Sequence, residues 1–405
     1  MTSRRADLLS RGRWTAGVVG AALLALGASA DGLGLGGPGF GSFQLLLSVV
    51  GGGALLFGVL PARWLPNYAR LACALVSSYL GLVLLEVIVS VALGAHRSTT
   101  MTLRGLVQPS RWGGYELTPN WRGDYDDGRT RVAIRINALG DRDDAPDDQP
   151  DARIRVLLLG DSQTFGMGLE KADTIEGSLE SLSAGEVAAY NLGVHGYGPE
   201  DTLEHFRERP ELRTTHTIFS LYGNDLRFDN CRKALHTAFE GYIVSRDRPD
   251  GTPYEAADLR RELAEAERKE QHGWPSRLKS IAVLEELHAR VGALLDPERI
   301  LRAGASDQFS DACALAAAHQ VDAIRALARE RGQAFTVVVL PTVGETALQR
   351  YSQPMQLAVD ELKRLGIPML EVRPLLTPGD YLPRDEHLAP SGARKVAAAI
   401  YQRLR

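Results

Sequence analysis

From residue 153 onward the chain alternates short apolar runs with longer amphipathic stretches. Residues 154–159, 187–192, 217–222, 334–340 and 367–372 are apolar runs flanked by turn-forming residues, the pattern of strands buried on both faces. Between them, residues 174–182, a segment opening at Pro199, residues 312–331 and 353–365, and a last segment starting near Pro390 carry apolar positions at helical spacing. This alternation predicts an α/β fold in which helices cover both faces of a parallel sheet, with ligands bound beyond the carboxyl ends of the strands.

Two stretches break the rhythm. Residues 226–310 are too long to be a simple connection and predict a helical insertion, within which residues 258–271, charged all round, read as an exposed helix. Residues 97–150 are rich in Arg, Asp, Gly and Pro and read as a linker. Its alternating segment 131–136 predicts one strand or hairpin, and the aspartate-rich run 141–151 a solvated loop.

Residues 1–96 follow a third pattern, with apolar stretches at 15–30, 43–60 and 71–95. The last is long enough to cross a hydrocarbon core of about 30 Å. Arg4, Arg5, Arg11 and Arg13 precede the first stretch, and Arg63 and Arg70 separate the second from the third. The positive-inside rule puts those segments in the cytoplasm and everything after Arg97 outside. Ala28-Ser29-Ala30 also fits a signal-peptide cleavage site, and cleavage there leaves two spans and the same final side. The expected organisation is a membrane region at 1–96 with two or three transmembrane helices, an extracytoplasmic linker at 97–150, and a domain at 151–405 outside a bacterial cell membrane. Glu86, within the third stretch, is either a functional intramembrane carboxyl or a hydrogen-bonded packing residue.

Charge and cysteine content narrow the partners. The chain has 46 Lys and Arg against 50 Asp and Glu and no basic stripe, which argues against nucleic acid and leaves membrane lipid as the expected contact. Three cysteines are too few for a metal cluster or a disulfide framework. With Cys73 in an apolar run, Cys231 and Cys313 either pair in an oxidising compartment or are two unrelated buried thiols.

The strand ends carry the candidate chemistry. Gly160-Asp161-Ser162-Gln163 places a hydroxyl at a strand-to-helix turn, where a nucleophile and an ordinary N-cap look alike. Asn191-Leu192-Gly193-Val194-His195-Gly196-Tyr197-Gly198 supplies glycines that let backbone N–H groups approach a bound atom. Tyr222-Gly223-Asn224-Asp225 supplies a carboxamide donor. Asp385-Glu386-His387-Leu388 supplies an imidazole with a carboxylate to hold its tautomer.

The ordered set GDS, NLGVHGYG, GND and DEHL resembles blocks I, II, III and V of the SGNH, or GDSL-type, hydrolases over residues 151–405. The preceding INALGDRD resembles the lead-in of some membrane-anchored bacterial members. The resemblance implies a flavodoxin-like three-layer α/β/α sandwich. It also implies Ser162 as nucleophile, His387 as base, Asp385 as acid, and an oxyanion hole from Ser162, Gly196 and Asn224, with no metal or other cofactor. Two departures stand out: Tyr222 replaces the first glycine of block III, and Asp-x-His replaces the commoner Asp-x-x-His. The second makes Asp380 an alternative acid and leaves room for a Ser–His dyad. His195 and Tyr197 are candidate substrate contacts or local hydrogen-bonding residues, and Trp274 is a candidate acyl or sugar platform or a packing residue. The expected activity is hydrolysis of an acyl ester, an acylated glycan or lipid among them, through an acyl-serine intermediate. One alternative is O-acyl transfer to a cell-envelope polysaccharide or other glycan, with a membrane acyltransferase as partner. The other is a catalytically silent glycan-binding or scaffold protein.

Overall fold

A computed structural model describes residues 2–29, 42–74, 77, 81, 84, 103–126, 130–142, 152–210, 212–227, 235–248, 251–271, 311–382 and 385–405. The chain divides into two compact units, Met1–Val89 and Ser90–Arg405.

In the first unit, α1 (Thr2–Ser29) packs against α2 (Ser42–Val59). Among the described residues no helix is long and apolar enough to cross a membrane, which departs from the spans expected at 15–30 and 43–60. In α1, Arg4, Arg5, Asp7, Arg11 and Arg13 leave only the later part apolar. Most of the third stretch, Glu86 included, lies outside the described residues.

The second unit begins with two hairpins where a linker with one strand or hairpin was expected. Strand β1 (Val107–Pro109) pairs antiparallel with β2 (Tyr115–Leu117), and β3 (Arg122–Asp126) with β4 (Arg131–Arg135). The expected strand is β4, whose alternating burial puts Val132 and Ile134 inside and three polar or small residues out. What makes the rest fold is aromatic: Tyr115 and Tyr125 are buried with Leu103, Leu106, Leu117 and Ile136 in an apolar cluster that also takes in Phe165, Val194 and Tyr197.

Next come β5 (Ile154–Gly160), α3 (Ser162–Phe165), α4 (Ile175–Ser183), β6 (Val187–Gly193), α5 (Pro199–Arg207) and β7 (His216–Leu221). Within the insertion, expected to be helical, lies a hairpin of β8 (His236–Phe239) and β9 (Tyr242–Ser245). The expected exposed helix follows as α6 (Ala256–Gln271), while residues 272–310, Trp274 among them, lie outside the described set. The fold closes with α7 (Asp311–Glu330), β10 (Ala334–Val339), α8 (Val343–Leu348), α9 (Gln353–Arg364), β11 (Met369–Glu371) and α10 (Pro390–Leu404).

Five strands form one parallel sheet in the order β11-β10-β7-β5-β6. Numbered by their appearance in the sheet, this is 2-1-3-4-5 read from the β6 edge, the flavodoxin-like order. Side chains on β5 alternate between the faces. Leu157 and Leu159 join the core under α5, α7 and α9, whereas Ile154, Val156 and Leu158 join the core under α4 and α10. The order reverses between β5 and β7, so the crevice beyond their carboxyl ends is where the topology leaves room for a ligand.

Cys313 on α7 is disulfide-bonded and Cys73 is free; Cys231 lies outside the described residues.

Asp380 anchors the approach to α10. Its carboxylate accepts from the Thr377 backbone N–H (2.8 Å) and hydroxyl (2.9 Å), the Ser391 hydroxyl (2.8 Å) and the Lys395 ammonium (2.6 Å). Burial raises its pKa, but the donors outweigh burial and bring it down to about 2. The folded-state pKa lies below the roughly 3.9 of a free aspartate. The resulting stabilisation is therefore complete above that value and lost as pH falls through about 2. Asp380→Asn is expected to cost about 1–3 kcal/mol at pH 7. Urea titrations of both proteins should show the gap narrowing below pH 4; a constant gap would contradict this account.

Candidate active site

The polar loops converge because β5, β6 and β7 are adjacent and parallel, so their carboxyl ends share one edge. Asp161 begins the site. It is fully buried and caps α3, accepting from the Gln163 N–H at 2.9 Å. Its second carboxylate oxygen accepts from Asn224 Nδ2 at 2.9 Å, tying the loop after β7 to the turn after β5. Burial raises the Asp161 pKa against these hydrogen bonds and the His387 charge. Asp225, also buried, accepts from the Tyr222 N–H at 2.8 Å, and burial followed by the Asp161 charge pushes its pKa well up.

Ser162 is the first residue of α3, and its Oγ lies 2.8 Å from His387 Nε2. On the other side of the ring, His387 Nδ1 makes a short hydrogen bond to Asp385 Oδ1, which also accepts the His387 backbone N–H at 3.0 Å. With one intervening residue, the carboxylate folds back on both donors of its own neighbour. Burial would raise the Asp385 pKa, but the His387 hydrogen bond and charge outweigh it and lower it. This geometry meets the shorter spacing without recourse to Asp380, which is committed to Thr377, Ser391 and Lys395.

Two side chains that the sequence reading gave no role hold His387. Gln163 Nε2 donates to the Glu386 carbonyl at 2.8 Å while its Oε1 accepts the Leu388 N–H at 3.1 Å, so one carboxamide brackets the histidine. The Tyr222 hydroxyl donates to the same Glu386 carbonyl at 3.2 Å, giving the residue that replaces a glycine a structural use. Neither has a periodic or motif signal of its own.

Among the described residues, the backbone N–H groups of Ser162 and Gly196 donate to no other group. Gly196 has φ of 80°, and a Cβ there would fall 2.7 Å from the Tyr115 hydroxyl, so glycine is required on both counts. The Asn191 carboxamide fixes this loop against the Ser162 turn, donating to the Thr164 carbonyl (2.9 Å) and accepting the Gly193 N–H (3.0 Å). Gly196 and Asn224 line a cleft of about 430 Å³. Leu103, Leu106, Val107 and Ile243 give it an apolar wall, and Arg227 and His236 add polar character.

His195 lines the same cleft. Tyr197 does not: it is fully buried, its hydroxyl donates to the Tyr115 carbonyl, and its ring meets Trp112, Tyr115 and His205 edge-on. An aromatic residue between glycines suggests exposure, yet here the lead hairpins cover it. Among the described residues there is no group of His, Cys, Asp and Glu that could hold a metal ion.

No family model and no curated protein sequence matches the chain. Among solved structures it is similar to a carbohydrate acetylesterase family member from Sinorhizobium meliloti at 13% identity and TM-score 0.33, covering 62% of this chain and 97% of that one. It is also similar to an inhibitor-bound M. smegmatis aryl esterase at 11% identity and TM-score 0.34, covering 62% and 98%. A third is a GDSL-like lipase from Bacteroides thetaiotaomicron at 10% identity and TM-score 0.32, covering 62% and 88%.

His195 offers a direct check on the electrostatics. Burial, then the His387 charge, lowers its pKa to about 4, so it is neutral at pH 7. Imidazole chemical shifts followed from pH 3 to 8 should show one ring titrating near 4. If the His195→Gln variant leaves that titration in place, the assignment is wrong.

Proposed function

We propose that this protein is a serine esterase of the SGNH type. The observation that carries the reading is the continuous relay Ser162 Oγ, His387 Nε2, His387 Nδ1, Asp385 Oδ1, set beside the Ser162 and Gly196 N–H groups and the Asn224 carboxamide. A hydroxyl at 2.8 Å from a ring nitrogen can pass its proton as Oγ attacks an ester carbonyl. Asp385 keeps the imidazole in the tautomer that accepts at Nε2 and stabilises the imidazolium that forms. Negative charge on the former carbonyl oxygen is met by the two backbone donors and Asn224, each such donor contributing roughly 3–4 kcal/mol in comparable sites. The imidazolium then protonates the departing alcohol. Water, activated by the same ring, releases the acid and restores Ser162.

The cleft next to Gly196 and Asn224 supplies the space for one side of the ester. Its apolar wall suits an acyl chain or an apolar alcohol, with the hydrolysed bond at the Ser162 end.

Membrane anchorage with the second unit outside the cell is part of the same proposal. It rests on the apolar run 71–95 and the arginines before it. The disulfide at Cys313 supports an oxidising compartment.

Ser162→Ala should abolish turnover of p-nitrophenyl acetate, a loss of at least about 10³-fold, with an unchanged circular dichroism spectrum and melting temperature. Wild-type turnover in that variant would end the esterase reading. For placement, alkaline phosphatase fused after Arg97 should be active in a bacterial host and β-galactosidase fused there inactive; the reverse result would put the catalytic unit in the cytoplasm.

A further inference from the structure

Residues 103–142 carry none of the proposed reacting groups, yet buried side chains from this segment grip three of the four loops that form the proposed site. Arg142 donates to the carbonyls of Phe165 and Gly166, both at 2.5 Å, and to that of Leu169. These carbonyls end α3, the helix that Ser162 begins, and the guanidinium also lies over the Phe165 ring. The Tyr115 hydroxyl donates to the His195 carbonyl at 2.6 Å, immediately before Gly196. The Tyr125 hydroxyl donates to Asp385 Oδ2 at 3.3 Å. All three side chains are 1–2% exposed, so these hydrogen bonds are made away from bulk water, where leaving a partner unsatisfied is costly. A segment that only covered apolar surface would need no polar atoms at these points.

The contact at Asp385 has the sharpest consequence. Oδ1 is taken twice by His387, by the ring and by the backbone N–H. Among the described residues, Tyr125 is the one donor to this carboxylate from outside its own loop. Without it, rotation of the carboxylate about its Cβ–Cγ bond is opposed only by the ring and backbone N–H of His387, the residue it is meant to orient.

We propose that residues 103–142 are the positioning element of the active site, and that Tyr125 is a positioning residue acting on His387 through Asp385. The proposal rests on the Ser162–His387–Asp385 reading. Tyr125 restrains the acid in the plane that suits Nδ1 and tempers its basicity by sharing its charge. Residues 103–126 and 130–142 are thereby part of the support of the proposed site.

The test uses the full-length protein with p-nitrophenyl acetate. Tyr125→Phe keeps the ring and removes the donor. It should lower kcat by about 5- to 20-fold, as for loss of one modest hydrogen bond, with KM within about twofold. The acidic limb of kcat/KM should move to higher pH, because a carboxylate without its donor holds the imidazolium more tightly. In an Asp385→Asn background the same substitution should change kcat by less than about twofold, since the path through the acid is already cut. Equal losses in both backgrounds would mean that Tyr125 serves packing alone, and an unaltered kcat would equally overturn the proposal. If Tyr125→Phe does not fold, 3-fluorotyrosine at 125, a stronger donor of the same shape, should move the acidic limb to lower pH; an unmoved limb overturns the proposal. Full turnover in Ser162→Ala would overturn the underlying esterase reading as well. A dead Ser162→Ala with a fully active Tyr125→Phe overturns this proposal alone.

Discussion

A parallel sheet has to bury both of its faces, and most of this structure follows from that requirement. The connections between parallel strands must return the chain over a face, so they become helices: α4 and α10 on one side, α5, α7 and α9 on the other. With every strand pointing the same way, all the turns that leave the sheet at its carboxyl end lie along one edge. Polar, glycine-rich loops from residues 160, 193 and 222 onward therefore meet without any contact between them having to be strong.

What turns this meeting into a site is a buried carboxylate. Asp161 receives Gln163 and Asn224, so the helix that presents Ser162 and the loop that presents Asn224 share one acceptor. Gln163 then reaches the other way and brackets His387 through the Glu386 carbonyl and the Leu388 N–H. The two polar residues that flank Ser162 thus couple it to Asn224 and to His387. Burying Asp161 raises its pKa, and the donors around it make that burial tolerable.

The hairpins of residues 107–135 add a second layer of support over the same loops. They fill the space around Phe165, Val194 and Tyr197 with buried rings, and from this apolar setting Tyr115 and Tyr125 reach polar atoms of the site. The β8–β9 hairpin closes the adjoining cleft with Tyr242 and Ile243. Cleft shape is therefore set by parts of the chain outside the sheet, while the relay is set by the sheet's own loops.

The sequence alone determined the sheet. Strand periodicity at 154–159, 187–192 and 334–340 and helical spacing between the runs are local properties, since burial on two faces leaves its record in each segment separately. It also determined the candidate relay, because Ser162, Asn224 and His387 each follow or precede a regular element at a readable position. Tertiary structure alone decided the rest. That Asp385 and not Asp380 meets the imidazole depends on which donors surround each carboxylate, and those donors come from residues 125, 377, 391 and 395. That Tyr197 is packed while His195 lines the cleft depends on hairpins some 80 residues upstream. Tyr115 and Tyr125 gave no sign in the linear pattern, and Arg142 stood out only as part of INALGDRD, with no contact to read from it. A hydrogen bond between residues hundreds of positions apart leaves no period in the chain, and only folding brings its two ends together.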